Sequence, residues 1–368
     1  MSQPVSRATY PGRLGLQQRV LPDYRVPFFE LLAQRCAGGM SVFAGSPRAD
    51  EGIHAAEGLT HGKLRRGRNF HFLRGALYLC HQAGLIEWLE EWNPESLILE
   101  ANPRYLATGR AIRWMHARGR KVIGWGLGAP PLAGPLLAPR ASRRAGFLHR
   151  FDALIAYSQR GADEYASLGL APGRIFVAHN AVSPPPEKAP AARTEKPAPL
   201  TVLFVGRLQK RKRVDLLLRA CAGMQPRPRL VIVGEGPERK ALEDLRNQVF
   251  PTAEFVGERF GRQLERYFGE ADLFVLPGTG GLAVQQAMGH GLPVIVARGD
   301  GTQDDLVRAG NGWQVPPDDL PALSRALSEA LSDQATLRRM GRESYRIVAD
   351  EINIERMADV FVEALNSI

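Results

Sequence analysis

The sequence predicts an α/β protein built from two domains, each containing a parallel sheet. Short apolar runs alternate with segments of helical period along the chain, which is typical of parallel strands joined by crossover helices. The 368 residues exceed one ordinary α/β domain and suit two. A stretch rich in proline and charge, residues 183–199, lacks apolar periodicity and indicates a linker. We therefore expect an N-terminal domain over residues 1–182 and a C-terminal domain over residues 200–351.

Apolar runs predict the strands, and helical periods predict the helices. In the first half we expect strands near residues 17–21, 40–44, 96–100, 121–125, 153–156 and 174–178. Helices are expected there near residues 27–37, 83–92, 104–118 and 160–168. In the second half the strands are expected near residues 201–206, 229–234, 253–257, 272–277 and 293–297. Helical patterns close the chain, and the last of them, residues 352–368, has no strand partner.

One uncharged run, residues 122–139, is 18 residues long, which is the length of a short membrane span. The run contains Pro130, Pro131, Pro135 and Pro139, and proline interrupts a helix. We therefore expect a strand followed by a long loop here, and no spanning helix.

The positive charge is concentrated in the first half of the chain. Residues 1–182 contain 23 Lys and Arg against 13 Asp and Glu, whereas the rest of the chain has no net charge. Residues 101–150 contain ten basic residues and no acidic one. This basic 101–150 region is either a solvated surface or a face that meets an anionic membrane or an anionic acceptor. Nucleic acid is not expected, because no stacking motif or recognition-helix signature accompanies the charge.

The cysteines indicate a reducing compartment. Cys36, Cys80 and Cys221 are far apart and have no metal-ligand spacing. An odd, scattered set fits a cytoplasmic protein better than a disulfide framework. The N-terminus has no signal-peptide pattern. We expect a cytoplasmic protein without a metal site.

Two strand ends in the second half are suited to a phosphate. Glycines 278, 280 and 281 form a loop between a buried strand and a short helix. Such a loop exposes backbone N–H groups and lets a ligand approach the main chain closely. A cluster of cations, residues 207–213, follows another strand. Together these features predict a nucleotide-type ligand.

Several segments resemble family 4 glycosyltransferases in order and spacing. They are Val205–Lys212, Val231–Pro237, Phe255–Gly257 and Ala287–Ile295, with looser matches at Tyr24–Glu30 and Val177–Val182. The resemblance implies the GT-B fold, in which two Rossmann-like domains face each other. It places a nucleotide-sugar donor in the C-terminal domain and an acceptor in the N-terminal domain. It also implies that the last helix, 352–368, packs back on the first domain.

The resemblance assigns the diphosphate of the donor to Arg207 and Lys212, whose spacing matches the Arg–Lys pair of the family. Two cations there would stabilise the charge that develops on the leaving group. The alternative is a solvated cationic loop, to which Lys210, Arg211 and Arg213 are expected to belong. The implied donor-binding residues are Gly206, Gly257, Glu258, Arg259, Gly278, Thr279, Gly280, Gly281, Leu282, Gln286 and Asp305. For the glycine loop the alternative is a tight strand–helix connection, and for Asp305 it is helix capping.

The chain departs from the family pattern at two places. The family has two glutamates eight positions apart, and the alignment puts Gly278 and Gln286 at these positions. A neutral amide is a weaker hydrogen-bond acceptor than a carboxylate, so donor recognition is altered. The family histidine after the strand 121–125 is also missing, and Trp125 and Gly126 lie there instead. We assign these two residues to the acceptor side, where Trp125 either stacks on a sugar ring or belongs to the core.

The expected function is sugar transfer from a nucleoside diphosphate donor to a glycan or lipid-linked acceptor, with retention of configuration and no cofactor. The process implied is cell-surface polysaccharide or glycolipid synthesis, by a cytoplasmic enzyme located peripherally at the membrane. Retention does not need a protein nucleophile in this fold, since the leaving phosphate itself can assist the incoming hydroxyl. One alternative is a catalytically inactive scaffold of the same fold. Another is an epimerase or phosphorylase that uses a nucleotide sugar differently.

Overall fold

A computed structural model describes residues 8–132, 137–191, 193–195, 197, 199–299 and 301–368. Contacts divide the chain into two compact units. The first unit comprises Met1–Pro184 and Ile354–Ile368, and the second comprises Pro185–Asn353. The C-terminal helix therefore belongs to the same unit as the N-terminal half.

The sheets of the two units are parallel. In the first unit the strands are β1 (Leu14–Val20), β2 (Met40–Gly45), β3 (Lys63–Arg66), β4 (Arg68–Phe72), β5 (Leu79–Ala83), β6 (Ser96–Glu100), β7 (Lys121–Gly126), β8 (Ala153–Ala156) and β9 (Ile175–Val177). Their order in the sheet is β3-β2-β1-β6-β7-β8-β9, while β4 and β5 form a separate antiparallel hairpin. In the second unit the strands are β10 (Thr201–Val205), β11 (Arg229–Val233), β12 (Glu254–Gly257), β13 (Leu273–Leu276), β14 (Val294–Ala297) and β15 (Gly312–Val315), in the order β12-β11-β10-β13-β14-β15.

Helices connect the strands and cover the sheets. Those of the N-terminal half are α1 (Val26–Gln34), α2 (Leu85–Trp92), α3 (Thr108–His116), α4 (Leu137–Leu148) and α5 (Gln159–Ala166). Those that follow are α6 (Val214–Ala222), α7 (Arg239–Val249), α8 (Gly261–Glu270), α9 (Ala283–Gly289), α10 (Thr302–Leu306), α11 (Leu320–Ser332), α12 (Gln334–Arg346) and α13 (Ile354–Asn366). Central strands such as β8 and β13 are buried at every position, as expected of a parallel sheet covered on both faces. The structure confirms the predicted α/β class with parallel sheets.

Helix α13 completes the core of the first unit. Its buried residues are Ile354, Met357, Ala358, Phe361, Val362, Ala364 and Leu365. The Phe361 ring centroid lies 5.0 Å from that of Phe28 and 5.0 Å from that of Trp125, with edge-to-face geometry in both pairs. The C-terminal segment is thus packed into the same aromatic cluster as α1 and β7.

A buried ion pair attaches α12 to the sheet of the second unit. An Arg338 Nη donates to Asp272 Oδ1 at 3.1 Å, and the two side chains are 8% and 1% exposed. The other oxygen of Asp272 accepts the backbone N–H of Thr201 at 2.9 Å. Hydrogen bonds to both charges offset the cost of burying them. The pair therefore fixes α12 next to the starts of β10 and β13.

The expected strands are present, but short polar strands were not expected. β3, β4 and β5 have the sequences KLRR, RNFHF and LCHQA, which contain no apolar run. These strands are partly or fully exposed at most positions. They therefore lack the apolar runs from which the other strands were predicted. β15 was missed for a related reason, since only its two ends are buried.

The prediction of a strand followed by a long loop over residues 122–139 was wrong for the last three residues, which belong to a helix. Residues 137–148 form α4, and Pro139 lies in its first turn, where the missing N–H of proline has no helical partner to lose. Residues 133–136 of the same uncharged run lie outside the described residues. Across the described ranges, no helix is both long enough and apolar enough to cross a bilayer.

The packing of α13 makes a first prediction. Phe361→Ala should lower the free energy of unfolding by about 3–5 kcal/mol, because it leaves a cavity beside Phe28 and Trp125. The exposed Glu363 on the same helix provides the control variant Glu363→Ala. Urea unfolding followed by tryptophan fluorescence would measure both. Equal midpoints for the two variants would show that α13 is not part of the core.

Candidate functional site

Glycines bring three strand ends together at the carboxyl edge of the second unit's sheet. Gly206, Gly234 and Gly257 follow or end β10, β11 and β12. The backbone N–H of Gly234 donates to the carbonyl oxygen of Gly257 at 2.9 Å. A Cβ atom on Gly234 would overlap with the carbonyl oxygen of Gly206, and Gly234 has a φ of 141°. The strand ends therefore contact each other through main chain alone, which leaves this edge open for a ligand to approach.

The predicted glycine loop, residues 278–282, packs on the cationic loop, residues 207–213. The backbone N–H of Thr279 donates to the carbonyl oxygen of Arg211 at 3.0 Å. Gly278 is buried, and a Cβ atom on it would overlap with that same oxygen and lie 2.6 Å from Lys212 Cα. Gly280 has a φ of 65°, a conformation that favours glycine. The two loops thus form one contiguous structure.

Lys212 is the cation that this contact positions. Its side chain is 5% exposed, and Nζ donates to the carbonyl oxygens of Thr279, at 3.0 Å, and Gly280. A Cβ atom on Gly281 would lie 3.3 Å from Nζ. A buried ammonium needs such acceptors to offset the loss of water. Lys212 therefore lies directly against the loop that was predicted to hold an anion.

The other cations of the loop differ from one another. Arg207 follows Gly206 at the end of β10 and is exposed. Arg211 is exposed, as expected, and its Nη1 donates to the carbonyl oxygen of Thr279 at 3.1 Å. Arg213 forms ion pairs with Asp215, at 3.1 Å, and Asp318. Arg211 is thus a solvated cation that also contacts the glycine loop, whereas the ion pairs of the partly exposed Arg213 were not expected.

A cavity of about 800 Å³ lies beside this loop pair. Gly278 and Thr279 belong to its lining, together with Lys210 and Arg211. Among the residues that the structure describes, Arg207 and Lys212 are not part of this lining. The cavity is thus lined by the neighbours of Lys212 in the cationic loop, Arg211 and Arg213, and not by Lys212 itself.

The predicted nucleobase region contains a carboxylate that sequence reasoning missed. Glu258 is exposed, and Arg259 Nη1 donates to its carbonyl oxygen at 2.8 Å. A Cβ atom on Gly257 would lie 3.2 Å from Glu235 Oε1 and 3.5 Å from Arg259 Nη1. Glu235 thus joins this group from the loop after β11. Its only signal in the sequence is the Gly-Glu-Gly-Pro motif that begins at Gly234.

The remaining donor candidates lie on α9 and α10. Gln286 is exposed on α9, next to the buried Gln285. Asp305 lies in the first turn of α10, where acidic side chains are favourable. A Cβ atom on Gly299 would lie 3.9 Å from Thr279 Cγ2, which brings the chain before α10 to the glycine loop.

The acceptor-side candidates lie at the carboxyl end of β7 in the first unit. Trp125 is 1% exposed, and its ring makes edge-to-face contacts with Phe29, Tyr157 and Phe361. Of its two expected alternatives, this geometry fits the core residue, since stacking on a sugar needs an exposed ring face. Gly126 is partly exposed. Both residues line a cavity of about 850 Å³.

This first-unit cavity also contains Glu100, which sequence reasoning missed. Glu100 ends β6, and its Oε2 accepts the backbone N–H of Arg19 at 2.6 Å. Burial raises the pKa of Glu100 to about 7, although this hydrogen bond and the charges of Arg19 and Arg25 act in the opposite direction. A single carboxylate after an apolar strand carries no local signal. Its environment depends on chain more than 70 residues away.

Comparisons with known proteins find similarity mainly in the second unit. Residues 187–347, which lie in the second unit, match the family model of glycosyl transferases group 1. A GDP-mannose-dependent alpha-mannosyltransferase of Mycobacterium tuberculosis is 35% identical over 159 residues, which is 40% of each chain. The putative colanic acid biosynthesis glycosyltransferase WcaL of Escherichia coli is 27% identical over 198 residues, 49% of this chain and 47% of the relative. The matched segments thus span less than half of these relatives.

Solved structures resemble the chain over nearly its whole length. The lipopolysaccharide outer core galactosyltransferase WaaB matches with a TM-score of 0.69 and 15% identity, covering 96% of this chain and 99% of that one. Alr3699/HepE of Anabaena, solved in complex with UDP, matches with a TM-score of 0.71 and 16% identity, covering 97% and 100%. At this identity the likeness concerns the fold. The chain has the GT-B fold, which confirms the predicted fold class.

The contact between the two loops makes a second prediction. Gly278→Ala should lower the free energy of unfolding by about 1–3 kcal/mol, because the new methyl group overlaps with the backbone of Arg211. A methyl group added at Gly269 in α8 would meet no atom within 4 Å, so Gly269→Ala is the matched control and should be stabilising. Thermal unfolding would compare them. Equal stability of the two variants would contradict the close packing at Gly278.

The environment of Glu100 makes a third prediction. A glutamate in the unfolded chain has a pKa of about 4.3, so the folded state must ionise Glu100 at a higher pH than the unfolded state does. The wild type should therefore lose stability relative to Glu100→Gln as the pH rises from about 4 through about 7. Melting temperatures at about pH 5 and about pH 8.5 would test this, with the exposed Glu90→Gln as control. A difference independent of pH would show that Glu100 has an ordinary pKa.

Proposed function

We propose that the chain is a glycosyltransferase that moves a sugar from a nucleoside diphosphate, bound by the second unit, to a hydroxyl of a glycan or lipid-linked acceptor, bound by the first unit. The observation that carries this proposal is the buried Lys212 ammonium, held against the glycine loop at the carboxyl edge of a parallel sheet. Ligands of open α/β sheets bind at this edge. The match of residues 187–347 to glycosyl transferases group 1 supports the same conclusion.

In the proposed reaction Lys212 and Arg207 bind the diphosphate of the donor. The phosphate oxygens would compete with the carbonyl oxygens of Thr279 and Gly280 for the Lys212 ammonium. Charge-assisted bonds to phosphate are stronger than bonds to a neutral carbonyl. As the sugar leaves, both cations would neutralise the growing negative charge on the diphosphate. Because the cations are already in position, this electrostatic stabilisation would lower the barrier to transfer.

We propose that the sugar is transferred with retention of configuration, as the family resemblance implies. The positions aligned with the family glutamates, Gly278 and Gln286, contribute no carboxylate. The leaving phosphate would then accept the proton of the incoming hydroxyl, and positioning of the two substrates would supply most of the rate. Proton NMR of the first product formed would distinguish retention from inversion.

The base of the donor is best tested with UDP and GDP first. A relative is named as GDP-mannose-dependent, and a structural neighbour was solved with UDP. In this chain the base would lie near Gly257 and Arg259, where Glu235 adds a carboxylate. The neutral Gly278 and Gln286 favour the alternative of a non-catalytic scaffold. Titration with nucleotides tests this alternative as well.

Calorimetric titration with UDP, GDP, ADP and TDP is the deciding measurement. One nucleotide should bind the wild type, and Arg207→Ala and Lys212→Ala should each weaken its binding about tenfold or more, since each removes a charge-assisted contact. Lys210→Ala is the matched control, because Lys210 is an exposed cation of the same loop.

Turnover completes the test. With the nucleotide sugar so identified, Arg207→Ala should lower kcat by about a hundredfold or more, as expected when a group that stabilises the leaving charge is removed. Unchanged turnover in this variant would contradict the proposed role of Arg207. Failure of every nucleotide to bind the wild type would instead favour the scaffold.

A further inference from the structure

The first-unit cavity has a cationic wall on one helix. Arg140, Arg143 and Arg144 of α4 line it, and their spacing places them on one face of the helix. Arg104, in the loop after β6, also lines it. Among the described residues of the lining, Glu100 is the only acidic one. The cavity therefore concentrates positive charge at one wall.

Arg144 is the most constrained of these arginines. Its Nη1 donates to the carbonyl oxygen of Pro130 at 2.6 Å, while its Nε is buried and has no hydrogen-bond partner within the described part of the chain. Burial lowers the pKa of Arg144, and the nearby Arg140 lowers it further against the opposing effect of Glu164. A partly buried guanidinium beside a second cation is a site that an anion stabilises.

The same cavity is lined by groups suited to a hydroxyl. Glu100 offers a carboxyl group, and Tyr105, Trp125 and Tyr157 are its neighbours in the lining. The Nε1 of Trp125 is buried and has no hydrogen-bond acceptor among the residues described. A hydroxyl can donate a hydrogen bond to the Glu100 carboxyl group. The volume of about 850 Å³ is large enough for a sugar ring and a phosphate group.

We propose that this cavity binds an acceptor in which a phosphate or diphosphate group lies close to the hydroxyl that receives the sugar. The arginines of α4 and Arg104 bind the phosphate oxygens, and Glu100 accepts a hydrogen bond from the hydroxyl. The inference rests on the proposed function and names the acceptor class that the function leaves open. The phosphate belongs either to a free sugar phosphate or to the headgroup of a lipid carrier.

The group transfer balances without a further reactant. The acceptor hydroxyl oxygen forms a bond to the anomeric carbon of the donor sugar, and the bond from that carbon to the nucleoside diphosphate breaks. The hydroxyl proton passes to the leaving phosphate oxygen. Glu100 orients the hydroxyl and takes no covalent part.

Pyrophosphate binding tests the cationic wall directly. We would titrate inorganic pyrophosphate calorimetrically into Lys212→Ala, so that the second unit contributes little, and into the same protein carrying Arg143→Glu. The second change should raise the dissociation constant about tenfold or more. Arg113→Glu is the matched control, because Arg113 is an exposed arginine of the basic 101–150 region that does not line the cavity. Its effect should stay within about twofold, as expected for a charge screened over a Debye length.

An equal loss in the Arg113→Glu and Arg143→Glu proteins would overturn the proposal, since only a diffuse basic surface would then be at work. Absence of pyrophosphate binding in the Lys212→Ala protein would also overturn it. The nucleotide titration is independent of both outcomes, so failure of the proposed function and failure of this inference can be told apart.

Vesicles distinguish the two sources of phosphate. Phosphatidylcholine vesicles containing a long-chain alkyl phosphate should bind the wild type and not Arg143→Glu if the acceptor is lipid-linked. Binding of pyrophosphate without binding of these vesicles supports a free sugar phosphate. A third outcome is that pyrophosphate does not bind and that Arg113→Glu and Arg143→Glu weaken vesicle binding equally. This outcome would identify a membrane-contacting face and would reject the cavity as the binding site.

The proposed contact between Glu100 and the acceptor hydroxyl is tested by steady-state kinetics. In the active enzyme, Glu100→Gln and Arg143→Glu should each raise the acceptor KM about tenfold, since each removes a charged contact, and leave nucleotide affinity unchanged. Wild-type KM values in both variants would overturn the assignment of the cavity. Thermal unfolding of the same samples confirms that both variants are folded.

Discussion

The structure of the second unit depends on main-chain contacts that only glycine permits. Gly234 packs on the carbonyl oxygen of Gly206, and Gly278 packs on that of Arg211. A side chain at either position would push apart the loops that follow β10, β11 and β13. The placement of Lys212 follows from these contacts, because its acceptors are carbonyl oxygens of the glycine loop. Backbone geometry at the sheet edge thus determines where the buried charge lies.

This arrangement gives Lys212 a fixed position before any anion arrives. Its Nζ is held by two carbonyl oxygens, which offset the cost of burial without neutralising the charge. Preorganised charge of this kind is most effective when little rearrangement is needed during the reaction. The absence of a glutamate at Gly278 is compatible with this geometry, since the loop contact leaves no room for a side chain there.

The sequence predicted those parts of the molecule whose signal is local. Long buried strands have apolar runs, and the cationic and glycine loops have distinctive compositions, so both were found. The strands β3 to β5 have no apolar run, and α4 begins just before a proline, so neither had a recognisable pattern. Glu100 is a single carboxylate whose environment arises only when a distant segment meets it, whereas Glu235 also pairs locally with Arg239 at 2.8 Å. The hydrogen bond from Arg211 to the carbonyl oxygen of Thr279 could not be predicted, because the two residues lie 68 positions apart in the chain.

The uneven charge of the chain has a structural basis. In the second unit cations such as Arg213 and Arg239 are paired with carboxylates on neighbouring turns, which fits its lack of net charge. In the first unit the arginines of α4 line a cavity whose described lining contains one carboxyl group, Glu100. A solvated basic face would not need a guanidinium with a buried Nε, because water would satisfy it. Four of the ten basic residues of the 101–150 region, Arg104, Arg140, Arg143 and Arg144, line this cavity, so part of the excess positive charge is gathered at one place in the fold.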